Sequence, residues 1–270
     1  MRLLTLPVLV LAAACASAPP PKPPPPLPEL GPVELTGSQG LTDFKLTLQT
    51  SLKPAEAAHL LGARVELVVD GNVVKTTDVA LDKVLPAGEA TPVELTESGK
   101  YVNTADELKA LNEQGGSMKA ALRGEFSVRQ GDVLQKVEFA RARDLRVPRL
   151  PKVKAKDAEG GKHADDEVQV VLYFQVENPN PFPLQVSKLT YTATMLGKQM
   201  AERTEGGEKI SASSTDTFEV RFPFDTATWG KDVKAKIKAG TLPWTLAGKL
   251  EGDLFEVPFE LSGTLKLSSK

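Results

Sequence analysis

Four groups of residues carry side chains whose types could do chemistry: Cys15, the histidines His59 and His163, the acidic run Asp165-Asp166-Glu167, and the box Asn178-Pro179-Asn180-Pro181. Nucleophilic catalysis needs an activating base in reach, and a structural metal site needs several Cys or His ligands at short spacing. The two histidines stand about a hundred residues apart and Cys15 is the only cysteine, so neither a Cys/His metal cluster nor a Cys-His pair is expected. A Gly-x-Ser-x-Gly elbow, a phosphate-binding loop and a dinucleotide fingerprint are all missing. Asp165, Asp166 and Glu167 offer oxygen ligands to a hard cation but lack the glycine-spaced loop of a dedicated calcium site. They read as solvated surface, as does His163 in the same polar run. No enzyme activity, metal, cofactor or small-molecule substrate is expected.

The elements around the box explain it better than any ligand does. Val168, Val170, Leu172, Phe174 and Val176 alternate with mostly polar neighbours, the period of a half-buried strand. Pro179 and Pro181 then remove two backbone donors, so the ladder has to stop. Beyond it Leu189, Tyr191, Ala193 and Met195 share one face and Thr190, Thr192 and Thr194 the other, until Gly197 supplies a turn. The spacing predicts a strand, a proline-braced corner and a second strand. Asparagine side chains close Asx-turns and proline fixes φ, which makes the box a rigid turn in the first instance.

From about Val168 to Leu267 these features resemble the water-stress and hypersensitive-response (WHy) domain, the atypical type 2 branch of the late-embryogenesis-abundant (LEA) proteins. That family shows a strand ending in Asn-Pro-Asn-Pro, a threonine-rich strand, and a glycine before a charged stretch. The resemblance implies a mainly β fold, an immunoglobulin-like or fibronectin III-like β-sandwich carrying a short helix, without catalytic activity.

The first half echoes the second. Val65, Leu67, Val69 and Gly71 align with Tyr191, Ala193, Met195 and Gly197, while Val137, Phe139, Leu145 and Val147 align with Val257, Phe259, Leu265 and Leu267. Gly131-Asp132 resembles Gly252-Asp253 as a preceding hairpin turn, and Ser51-Leu52-Lys53-Pro54 stands where the second half has its box. Two tandem sandwiches are therefore expected, at 31–147 and 148–270, with RVPRLPK from Arg146 to Lys152 as the hinge because Pro148 and Pro151 stop any strand. Each half also offers one helix. In the first, Thr104-Ala105-Asp106-Glu107 fits a capping box, Leu108 and Leu111 follow at helical spacing, and Gly115-Gly116 ends it. In the second, Trp229, Val233 and Ile237 lie four apart, although Val233, Ala235 and Ile237 also alternate like a strand; the family resemblance favours the helix.

At the N-terminus, residues 1–14 combine Arg2, the apolar Leu3 to Leu11 and the small Ala12 to Ala14, the grammar of a signal peptide. A small-residue run ending in Cys15 resembles a bacterial lipobox, which implies an acylated Cys15 and a lipid anchor; Ala16 next to it favours the outer membrane. Ordinary cleavage at Ala16 to Ala18 is the alternative. Pro19 to Leu30 holds eight prolines in twelve residues. Such a segment adopts polyproline II, and at about 3.1 Å per residue Pro19 to Leu30 would span roughly 37 Å of a tether that runs over 15–30, or serve as a ligand for a proline-recognising domain.

The 33 basic and 35 acidic residues leave a net charge of −2, so no basic field exists for nucleic acid or anionic lipid. The expected function is non-enzymatic, envelope-anchored protection against desiccation, freezing or osmotic stress, through weak contacts with partly unfolded proteins or membrane surface. The alternative is a periplasmic or outer-membrane binding module that grips an envelope protein, at a sheet edge.

Overall fold

The computed structural model describes residues 23–162, 167–225, 235–236, 239 and 242–267. In chain order the elements are β1 (Glu29–Leu30), β2 (Glu34–Gln39), β3 (Asp43–Lys53), β4 (Ala58–Val69), β5 (Asn72–Leu85), β6 (Thr91–Lys100), α1 (Ala105–Gln114), β7 (Ser117–Gln130), β8 (Val133–Arg146), β9 (Lys152–Lys162), β10 (Glu167–Glu177), β11 (Leu184–Met195), β12 (Lys198–Ile210), β13 (Thr215–Asp225), β14 (Leu242–Gly252) and β15 (Phe255–Leu267). The fold is mainly β, in antiparallel sheets packed as sandwiches.

In the N-terminal half one sheet carries β3 between β6 and the short β1 and β2, and the other runs β5-β4-β7-β8. Alternating residues of both sheets close on one core: Phe44, Leu46 and Leu48 from β3 meet Leu60, Val65 and Leu67 from β4 and Leu122 and Phe126 from β7. In the C-terminal half β9-β10-β13 faces β12-β11-β14-β15, and Lys266 and Leu267 of β15 pair parallel with Glu159 and Gly160 of β9 to join them into one seven-stranded path. Val170, Leu172, Phe174 and Val176 of β10 pack there against Leu189, Tyr191, Ala193 and Met195 of β11.

Local features recur at matching places in the halves. The β4–β5 and β11–β12 turns put positive φ on Asp70-Gly71 (47° and 85°) and on Leu196-Gly197 (50° and 75°). Two successive positive φ values make the hairpin turn whose twist suits antiparallel strands. A register shift between Leu60 and Gly62 on β4 has its counterpart between Val186 and Lys188 on β11. Gly124 and Gly248 leave room for the rings of Phe139 and Phe259, their partners on the neighbouring strand.

Several expectations are corrected. β9 had no signal in the sequence: only Val153, Ala155 and Ala158 interrupt its polar residues, and pairing with β10 imposes the strand. The second-half turn is Asp253-Leu254, not Gly252-Asp253. Leu254 carries the positive φ of 58°, while Gly252 ends β14 opposite Phe255, where a Cβ would lie 2.0 Å from the Phe255 ring. The tether is shorter than expected, because Glu29 and Leu30 pair with Lys53 and Leu52 of β3 and Pro28 is buried. Of the second expected helix only Ala235 and Lys236 are described, both helical; Trp229, Val233 and Ile237 lie outside the described residues.

α1 forms as its sequence dictates, but packs elsewhere than expected. Thr104 Oγ1 accepts from Glu107 N at 3.2 Å and the Glu107 carboxylate accepts from Asn103 N at 2.7 Å, one residue earlier than a capping box requires. Gly115 and Gly116 end the helix with φ of 59° and 89°. Its buried Leu108 and the preceding Val102 join the core of the C-terminal half, not the N-terminal one.

Candidate functional site: the asparagine corner

Between β10 and β11 the box turns two asparagines inward. Asn178 and Asn180 are each only 1% exposed, and a buried amide has to find partners for two donors and an oxygen. Asn178 Nδ2 donates to the carbonyls of Phe182 at 2.8 Å and Ser211 at 2.9 Å, with a longer contact to Ile210 at 3.4 Å. Its Oδ1 accepts from Asn180 N at 3.0 Å, closing an Asx-turn, and from Asn180 Nδ2 at 2.9 Å. Asn180 then reaches out of the corner: its Oδ1 accepts from Arg149 N and its Nδ2 donates to Arg149 O, both at 2.7 Å. Backbone bonds from Asn178 N to Ser214 O and from Ser213 N to Asn180 O, each 2.8 Å, tie the corner to the β12–β13 loop. The prolines are less enclosed, Pro179 half-buried and Pro181 exposed.

Arg149 belongs to the segment expected to be a hinge, and that segment is fastened from the other side as well. Asn112 near the end of α1 accepts Leu150 N through Oδ1 at 2.9 Å and Arg149 Nη1 through its carbonyl at 2.8 Å. Val147 N donates to Gly116 O at 3.1 Å, and Val147, Pro148 and Pro151 are buried. Residues 147–151 are therefore a clamped strap between the halves. Nearby, Gln39 Nε2 donates to Tyr101 Oη at 2.6 Å and to Arg146 O at 2.8 Å. The Tyr101 ring stands 5.0 Å from Phe44 and packs against both cores; burial pushes its hydroxyl up to about 12.

The first half handles its corner differently. Gly88 N donates to Pro54 O at 2.7 Å, the place that Ser213 N and Asn180 O hold in the second half. Pro54 thus corresponds to Asn180 and Leu52 to Asn178, one residue from the alignment that the sequence suggested. Both are buried, so apolar residues stand at these places in the first half. Replacing all members of a buried network by apolar groups costs little, whereas removing one leaves the others unpaired.

The amide groups that the corner turns inward are bonded within the chain, so the corner positions the strap. Elsewhere, His59 Nε2 lies 2.6 Å from Asp82 Oδ1 on an exposed sheet face. Among the described residues no group of three or more His, Cys, Asp or Glu is placed to hold a metal ion, and no helix is long and apolar enough to cross a membrane. Cys15, His163, Asp165 and Asp166 lie outside the described residues. The reach of Asn180 to Arg149 and of Asn112 to Leu150 was not visible in the sequence, since no local pattern pairs an asparagine with a backbone amide on a distant segment.

A family model described as late embryogenesis abundant protein, LEA_2, matches residues 173–263, which contain the corner. No curated protein matches the chain. Among solved structures, a protein from Archaeoglobus fulgidus is 22% identical, with 43% of this chain and 98% of that chain covered and a TM-score of 0.26. Red sea bream transglutaminase is 12% identical over 88% of this chain and 31% of its own, with a TM-score of 0.28. A calcium-binding mutant of Bacteroides uniformis beta-glucuronidase 2 is 9% identical over 82% and 26%, with a TM-score of 0.30. The chain spans under a third of each of these two enzymes, and at such TM-scores none of the three likenesses bears on activity.

Proposed function

We propose that this is a non-enzymatic, envelope-anchored stress-protection protein of the LEA type 2 kind. The observation that carries the reading is the family match over residues 173–263, whose distinguishing motif is spent on internal hydrogen bonds and not on a reactive site. The chain is held through lipid on Cys15, in the outer membrane, and the sandwiches meet partly unfolded proteins or membrane surface through weak, exposed contacts. The halves are two copies of one unit, at 31–147 and 148–270, the first having replaced its asparagines by Leu52 and Pro54. The recurring hairpin turns, register shifts and ring-over-glycine pairs support that reading.

A dehydration-sensitive enzyme dried or freeze-thawed with the purified chain should keep more activity than with an equal mass of an unrelated β-sandwich of similar charge. The control is needed because crowding alone favours compact states by about 0.2 to 1 kcal/mol. Protection no better than the control, together with an envelope defect in an unstressed deletion strain, would replace this reading with the binding module. For the anchor, wild type should partition into membranes and Cys15→Ser should fail to mature; an unmodified mature chain beginning at Pro19 would remove it.

A further inference from the structure

One end of the N-terminal half gathers exposed apolar side chains. His59 of β4 pairs with Val84 of β5 and with Arg129 of β7, and Arg129 pairs with Leu134 of β8. Directly paired residues share a face, so Val84, His59, Arg129 and Leu134 form one row across all four strands. Val84 is 67% exposed and Leu134 57%, and Val133 beside it in the hairpin is 37% exposed. Leu27, at 62%, follows closely on Pro25, which this same end holds. The other two large exposed hydrophobics among the described residues, Val73 and Val74, sit at the opposite end of β5.

The chain also enters at this end. Gln135, next to Leu134, is buried, and its Nε2 donates to Pro25 O at 2.6 Å; Pro28 is buried and β1 pairs with β3. The path from the N-terminus is therefore fixed to the apolar end from Pro25 onward. Between Cys15 and Pro25 lie at most ten residue steps, which fully extended reach no more than about 36 Å.

We propose that the Val84–Leu134 row, with Val133 and Leu27, is a bilayer-facing edge that seats at the boundary of lipid headgroups and acyl chains. The proposal rests on the anchoring reading above and adds to it which surface meets lipid. Four aliphatic side chains bind a membrane only marginally by themselves, as a single acyl chain does. A short tether changes that, because it makes the second contact intramolecular at high effective concentration. Arg129, in the middle of the row, brings a guanidinium suited to headgroup phosphate; two exposed acids share this end, Asp82, whose carboxylate lies 2.6 Å from His59 Nε2, and Asp132 in the β7–β8 hairpin.

The test uses the full chain purified from membranes and reconstituted in phosphatidylcholine–phosphatidylethanolamine vesicles. Val84→Cys, Leu134→Cys and, in the other half, Glu202→Cys variants carry an environment-sensitive fluorophore, the Cys15 thiol being blocked by its lipid. Flotation and quenching by brominated lipid are read on the same samples. The expected result is flotation of all three, with blue-shifted, strongly quenched emission at positions 84 and 134 and neither effect at 202. Flotation without quenching at 84 and 134, or with equal quenching at 202, overturns the edge and leaves the anchor standing. A blue shift without lipid quenching indicates a second copy on the row and also overturns it. Failure to float, with label entering Cys15 itself, overturns the anchor and this proposal with it.

Discussion

The side-chain amide of Asn180 and the backbone amide of Arg149 exchange two hydrogen bonds of 2.7 Å, so an asparagine imitates one rung of a β-ladder for a segment that is not a strand. A proline-rich connection between two sandwiches would ordinarily be their most mobile part. Here Asn180 holds it from the C-terminal half and Asn112 from α1.

The asparagines should matter more than the prolines. Asn178→Ala leaves buried carbonyls and the Asn180 amide unpaired and should cost about 2 to 4 kcal/mol, and Asn180→Ala about 1 to 3 kcal/mol. Pro179→Ala with Pro181→Ala should cost about 1 to 2 kcal/mol through the entropy of the unfolded chain. Urea melts give the order directly; prolines costing more than asparagines would refute the clamp.

Leu108 is an N-terminal-half residue in the C-terminal core. Leu108→Ala should cost about 2 to 5 kcal/mol. Hydrogen exchange should show the loss first in β10 and β14 amides and not in β4 and β7. The fragment 152–270, deprived of Val102, Leu108 and Leu150, should melt well below the intact chain; equal melting temperatures would mean the helix is dispensable to that core.

Two kinds of glycine should respond differently to alanine. A Cβ on Gly124 would lie 1.9 Å from Arg64 O, and one on Gly248 2.2 Å from Thr190 O, contacts that only a backbone shift relieves. Those variants should lose about 3 kcal/mol or more, at the severe end for single substitutions. Gly71→Ala and Gly197→Ala meet nothing within 4 Å and should lose only the conformational cost of a left-handed residue, about 1 to 2 kcal/mol. Thermal melts of the four variants separate the two causes.

Tyr101 makes stability depend on alkaline pH. Its hydroxyl is raised to about 12 by burial, above the usual value near 10. Between those values the folded chain holds a proton that the unfolded chain has released, so this contribution is intact below about pH 10 and disappears as pH rises toward 12. Tyr101→Phe should flatten the fall in melting temperature across that window. An unchanged slope would assign the alkaline loss to other groups.

Much of the architecture could be read from residue order because local and global preferences agree there. The alternation of Val170 to Val176 and of Leu189 to Met195, the cap at Thr104 and the glycines after Gln114 each specify their element within a few residues. β9 and β12 could not be found in this way: KVKAKDAEGGK and KQMAERTEGGEKI carry too few apolar residues, and their neighbours β10 and β11 impose the strand. The box was legible as a turn, yet its partners were not. Arg149, Ser211 and Ile210 come to it through the fold, and nothing near Asn178 or Asn180 announces them.

The placement of α1 also sets an order of events in biosynthesis. The helix leaves the ribosome before any strand of the C-terminal half exists, so Val102 and Leu108 have no core to enter when the N-terminal sandwich closes. A nascent chain halted before β10 is therefore not a finished domain followed by a spare one. It presents the apolar side chains of Val102 and Leu108 to whatever chaperone accompanies it, and release becomes safe only when β10 to β15 arrive to cover them.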